Sequence, residues 1–103
     1  MPLSTYGSGY PVPVIQGTLT ALGYQQITSL SSAAALTVPI GARLALIQVE
    51  SADVRWRDDG TNPTASVGMV LDAGTILLYD SALSAIRFIE TVASAKLNIS
   101  YYG

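Results

Sequence analysis

Histidine and cysteine are both absent from the 103 residues of this chain. Their absence removes the commonest general base, the usual thiol nucleophile, haem ligation and every ordinary structural zinc site. No disulfide can staple the domain, so stability has to come from packing or from neighbouring chains. Charge is scarce too, with five basic and seven acidic side chains, about half the usual density for a soluble domain. A formal net charge of −2 with so few Lys and Arg leaves no electrostatic footprint for nucleic acid. No apolar run approaches the roughly 20 residues of a membrane helix, and the N-terminus lacks the basic region and apolar core of a signal peptide. The expectation is a chain that begins near Met1, is made in the cytoplasm, and uses neither nucleic acid nor membrane as a partner.

What is present is apolar. Half of the residues are hydrophobic, the length suits one domain with one core, and a surface this poor in charge is expected to be partly covered. Charge is also unevenly placed, because the first 42 residues carry none and the first charged side chain is Arg43. The opening segment mixes Pro2, Pro11 and Pro13 with Gly7, Gly9, Gly17 and Gly23, which opposes a helix and favours extended backbone at Tyr10 and Val12. Unlike a disordered tail, it holds Tyr6, Tyr10, Val12, Val14, Ile15, Leu19 and Leu22. Residues 1–23 therefore read as an extended uncharged arm that needs a surface, either its own domain or a neighbouring subunit.

From Tyr24 the pattern changes to period two, the mark of half-buried strands. Strands are expected at 24–28, 34–38, 43–50, 53–57, 67–71, 75–79, 84–90 and 96–102. In the first clear case, RLALIQVE, Ala45, Ile47 and Val49 oppose Leu44, Leu46, Gln48 and Glu50 across the strand. Val54 and Trp56 alternate with Arg55 and Arg57, and Leu97, Ile99 and Tyr101 alternate with Lys96, Asn98 and Ser100. Asp58-Asp59-Gly60, Asn62-Pro63, Asp72-Ala73-Gly74 and Asp80-Ser81 supply turns between them. The predicted fold is all-β, an antiparallel β-sandwich over residues 24–103, jelly-roll-like in strand number, with an extended N-terminal arm. Only SSAAAL at 31–36 offers a competing helical turn.

Few constellations carry chemistry. Asp58, Asp59 and Asn62 offer oxygen ligands of the kind calcium takes, but their spacing is not that of an EF-hand loop; a solvated turn with capped amides is the simpler account. Glu50, Asp53, Asp58, Asp59 and Glu90 supply carboxylates for a glycosidase pair, yet nothing in the sequence sets one of them in an apolar cleft, and adjacent Asp58 and Asp59 should point apart. Trp56 between Arg55 and Arg57 suits either a core indole with outward arginines or a stacking platform for a sugar or base. Tyr6, Tyr10, Tyr24, Tyr101 and Tyr102 fall near the two ends and suit either interface or sheet-edge packing. No catalytic residue, metal or cofactor is assigned. The candidate interface residues are Tyr6, Tyr10, Val12, Val14, Ile15, Arg55, Arg57, Tyr101 and Tyr102.

Over residues 43–103, the RWRDDG turn, the PTASVGM strand start and the LNISYY ending resemble the short structural proteins of tailed bacteriophages. The likeness is greatest to small β-sandwich head-decoration, or cement, proteins. No catalytic motif comes with the resemblance. It implies a virion protein on the outer capsid surface that bridges and stiffens the major capsid protein shell, or one in the tail or head-tail junction. It also implies a symmetric dimer or trimer. Two readings of other classes stand beside it. A carbohydrate-binding module recognising host glycans through Trp56 and the loop acids requires an exposed indole in a shallow polar groove. An enzyme with a carboxylate pair requires two acids facing across a cleft.

Overall fold

The computed structural model describes residues 18–103, preceded by two short strands, β1 (Ser4–Tyr6) and β2 (Tyr10–Val12), which pair antiparallel with Tyr6 opposite Tyr10. Of the arm residues named above, Val14 and Ile15 lie outside the described residues, as do the side chains of Tyr6, Tyr10 and Val12.

Eight further strands follow: β3 (Ala21–Ile27), β4 (Ala34–Ala35), β5 (Leu44–Glu50), β6 (Val54–Arg57), β7 (Met69–Leu71), β8 (Ile76–Tyr79), β9 (Arg87–Glu90) and β10 (Lys96–Tyr102). They form two four-stranded antiparallel sheets, ordered β3-β10-β5-β8 and β4-β9-β6-β7. There is no helix among the described residues, and residues 31–36 contain a bend followed by β4. The first sheet strand begins at Ala21, three residues inside the expected arm. A register shift between Tyr101 and Tyr102 absorbs an extra residue of β3 there, as a β-bulge does, and Thr20 continues the pairing through reciprocal main-chain bonds with Gly103 at 2.7 and 3.0 Å.

The alternation in the sequence becomes two faces of each sheet. Ala45, Ile47 and Val49 of β5, with Leu97, Ile99 and Tyr101 of β10, turn toward Val54 of β6 and Phe88 of β9, and all belong to one buried cluster. Leu30, Leu83 and Ile86, from the connections, close its ends. Each of the Val, Leu, Ile and Phe side chains contributes roughly 1.5–3 kcal/mol on burial, and no disulfide is available to supplement them. No charged or polar residue is buried among the described residues.

One turn shows how the chain passes between sheets. Asp72 accepts from Thr75 N–H at 3.0 Å with Gly74 at φ +92°, a left-handed position that glycine fills without steric cost. Gly74 N–H then bonds Val49 O at 2.7 Å, so the turn delivers β8 directly onto β5. Asp53 Oδ1 fixes the same turn by accepting from Ala73 N–H at 2.8 Å.

Candidate functional site

Directly opposed residues of antiparallel strands share a face, so the registers place two rows of four side chains on the outside of the β3-β10-β5-β8 sheet. Gln26, Asn98, Gln48 and Ile76 form one row, and Tyr24, Ser100, Leu46 and Leu78 form the next. Asn98 is the hub. Its Oδ1 accepts from Tyr24 OH at 2.7 Å and Gln26 Nε2 at 2.9 Å, while its Nδ2 donates to Glu50 Oε1 at 2.9 Å and Gln48 Oε1 at 3.4 Å. Every donor and acceptor of the amide is thus engaged. Beside this hub lies an apolar stripe, with Tyr24 66% exposed, Ile76 58%, Leu78 41% and Leu46 37%. A shallow depression of about 230 Å³ runs between them, lined by Tyr24, Leu46, Gln48, Ile76, Asn98 and Ser100. Among the described residues only Glu50 and Lys96, opposite one another at one end, put charge on this face.

The second feature is a groove of about 580 Å³ at the open edge of the other sheet, lined by Trp56, Arg57, Asp58, Asp59, Val67, Gly68 and Met69. Trp56 shares the inner face with Val54 but sits one step nearer the end of β6, opposite Met69 of the edge strand β7. It is therefore half-buried, where Val54 is fully buried. Its ring meets Tyr79 of the facing sheet edge-on, 6.1 Å between centroids at 67°, a favoured aromatic geometry. Tyr79 OH donates to Asp58 Oδ2 at 2.6 Å and accepts from Ala82 N–H at 3.0 Å. Burial, then the Asp58 carboxylate, holds the Tyr79 hydroxyl above its ordinary pKa. Arg57 grips Asp59 with two bonds, at 3.0 and 2.6 Å, which lowers the Asp59 pKa and raises that of Arg57. The far wall depends on Gly68, at φ +139°, where an added Cβ would lie 3.1 Å from Pro63 Cβ and Trp56 O.

These contacts sort the residues singled out from sequence. Arg55 and Arg57 face outward as expected, but only Arg57 finds an acid. Arg55 instead clamps the 58–68 connection, donating to Ala65 O at 3.2 Å and Gly68 O at 2.8 Å. Tyr101 does not belong with the interface residues: it is 1% exposed and packs in the core. Its hydroxyl donates to Gln25 Oε1 at 2.7 Å, and burial pushes its pKa up to about 12. Tyr102, next along the strand, is half-buried on the opposite face, with its hydroxyl accepting from Ser100. Leu44 also departs from its expected outward position and is buried, opposite Tyr102 at the sheet end.

Asp58 and Asp59 diverge, one toward Tyr79 and one toward Arg57. Asp53 caps Ala73, Glu90 accepts from Ala95 N–H at 3.2 Å, and Glu50 holds Asn98. All five acids considered for catalysis are thus tied to groups of their own chain. Among the described residues no three acidic side chains gather as a metal site. Compared with known proteins, the chain matches no protein-family model, no curated protein and no solved structure.

Proposed function

We propose that this chain is a non-enzymatic structural protein of a tailed-phage virion, a capsid decoration or cement protein that seats on the major capsid protein shell and stabilises it. The observation that carries the reading is the outer face of the β3-β10-β5-β8 sheet, where Tyr24, Leu46, Ile76 and Leu78 stand exposed around an amide network with charge at one end only. Contiguous exposed apolar surface rimmed by polar groups marks protein contact sites, and depletion of charge with enrichment of tyrosine is the composition of an interface core. The uncharged segment ahead of β3 fits the same use, as an arm laid across a neighbouring subunit.

The topology supports a jelly-roll sandwich. Pairing is nested, β3 with β10, β4 with β9, β5 with β8 and β6 with β7, as when one long hairpin is rolled up. The further pairs β5 with β10 and β6 with β9 close the roll into two sheets. Jelly rolls serve viral capsids, lectins and other proteins, so the fold is compatible with the reading without selecting it.

The test is retention on purified empty phage shells. A cement protein stays with the shells through washing and raises their resistance to heat; a protein that washes away from shells but remains with isolated tails belongs to the tail or head-tail junction.

A second reading, a host-glycan-binding module, is favoured by the half-buried Trp56 indole beside Arg57, Asp58 and Asp59 in the groove. An indole face with fixed polar neighbours suits the apolar and hydroxyl faces of a sugar ring. Binding on a glycan array that Trp56→Ala abolishes would promote this reading over the first.

A further inference from the structure

The four strands that end the two sheets are unequal. β4, β7 and β8 have two, three and four residues, whereas β3 has seven. Natural sheets blunt their edges with short strands, charge or proline, and the β3 sequence ALGYQQI contains neither charge nor proline. Among the described residues β10 is the one strand paired with β3. Tyr24 and Gln26 are drawn back over β10 by their bonds to Asn98, and Gln25 turns inward to Thr37 and Tyr101.

We propose that the outer edge of β3, unpaired among the described residues, pairs with β3 of a second copy of this chain, antiparallel about a two-fold axis near Tyr24, merging two four-stranded sheets into one continuous sheet. A two-fold contact brings each residue group against itself, so a charged edge would repel its copy. This edge has no charge to do so. The merged sheet sets the Tyr24 backbones of the two copies directly opposite one another across the axis. It also makes the apolar stripes of both copies, Leu46 and Leu78 included, one surface. The antiparallel direction carries Thr20 of each copy toward Thr28 of the partner subunit. The inference does not depend on a virion role.

Light scattering coupled to size exclusion tests it. The wild-type chain should elute with twice its 10.8 kDa mass, Tyr24→Phe should do the same, and Tyr24→Lys should run at one chain mass with an unchanged far-UV circular dichroism spectrum. In a chain without other cysteines, Tyr24→Cys should be joined to its copy by a short bis-maleimide, and Ile76→Cys on the β8 edge should not. A monomeric wild type, a dimeric Tyr24→Lys, or cross-linking at Ile76 in place of Tyr24 overturns the proposal. A monomeric wild type that still binds empty shells would remove the dimer and leave the cement reading standing, which separates the two failures.

Discussion

Tyr79 and Asp58 tie the two sheets together at their open end: the tyrosine, the last residue of β8, donates its hydroxyl to the carboxylate that directly follows β6, at 2.6 Å. The same oxygen accepts from Ala82 N–H, so one side chain joins β8, the end of β6 and the turn after β8.

Tyr79→Phe keeps the ring against Trp56 but leaves the Ala82 amide without its acceptor. Losing such a part-buried hydrogen bond costs about 1–2 kcal/mol. Urea unfolding followed by Trp56 fluorescence, with the indole 6.1 Å from the Tyr79 ring, should show the midpoint falling with the slope unchanged. An unmoved midpoint contradicts the tie.

Phe88 is fully buried between the sheets, whereas Val70 is exposed on β7. Phe88→Ala should therefore destabilise by about 3–5 kcal/mol and Val70→Ala by less than about 0.5 kcal/mol, measured by the same unfolding curves. Similar losses at the two positions would mean that the two sheets do not share this core.

Gly68 and Gly60 make a paired test of the groove wall. Both have positive φ, but a Cβ on Gly60 meets nothing within 4 Å, while one on Gly68 meets Pro63, Trp56 and Arg55 at 3.1–3.2 Å. Gly60→Ala should cost about 1–2 kcal/mol for backbone conformation alone. Gly68→Ala adds steric displacement in a region that is nearly glycine-only, and should cost clearly more. The reverse order would place the constraint elsewhere.

Tyr101 sets an alkaline limit. Its folded pKa of about 12 lies above the ordinary value of about 10, so the unfolded chain loses its proton first. The neutral hydroxyl's contribution is complete below about pH 10 and is lost as pH rises toward 12, up to about 2–3 kcal/mol. Tyr79, raised in the same direction, steepens the decline. Tyr101→Phe should flatten the fall in melting temperature over this window; an equally steep fall in that variant contradicts the assignment.

Alternation made most of the fold legible. RLALIQVE reads as one buried and one exposed face, and β5 has them, because a sheet packed on one side must sort its side chains by parity. All eight strand positions expected after residue 23 contain a strand, although β4 is shorter and β3 starts earlier, where a bulge lets Ala21 pair out of simple register. Tyr101 and Tyr102 show the limit of residue type as a guide, since neighbouring tyrosines on one strand face opposite ways. The outer-face site was not legible as a site: Tyr24, Leu46, Ile76 and Asn98 are remote in sequence and meet only through register. Leu46, apolar at an outward position, and Tyr24, a tyrosine suited to an interface, were its local signs. The Trp56 groove was half legible, because parity placed the indole inward while the short β7 edge that opens it depends on tertiary structure.

The most direct measurement of the central claim is retention on empty phage shells of the wild-type chain beside Leu46→Glu/Leu78→Glu, a variant that charges the outer sheet face and leaves the core untouched. The wild type should remain bound after washing, and the folded double variant should wash off. Equal retention of both, or wild-type protein lost from the shells, would contradict the account of this face as a capsid-binding surface.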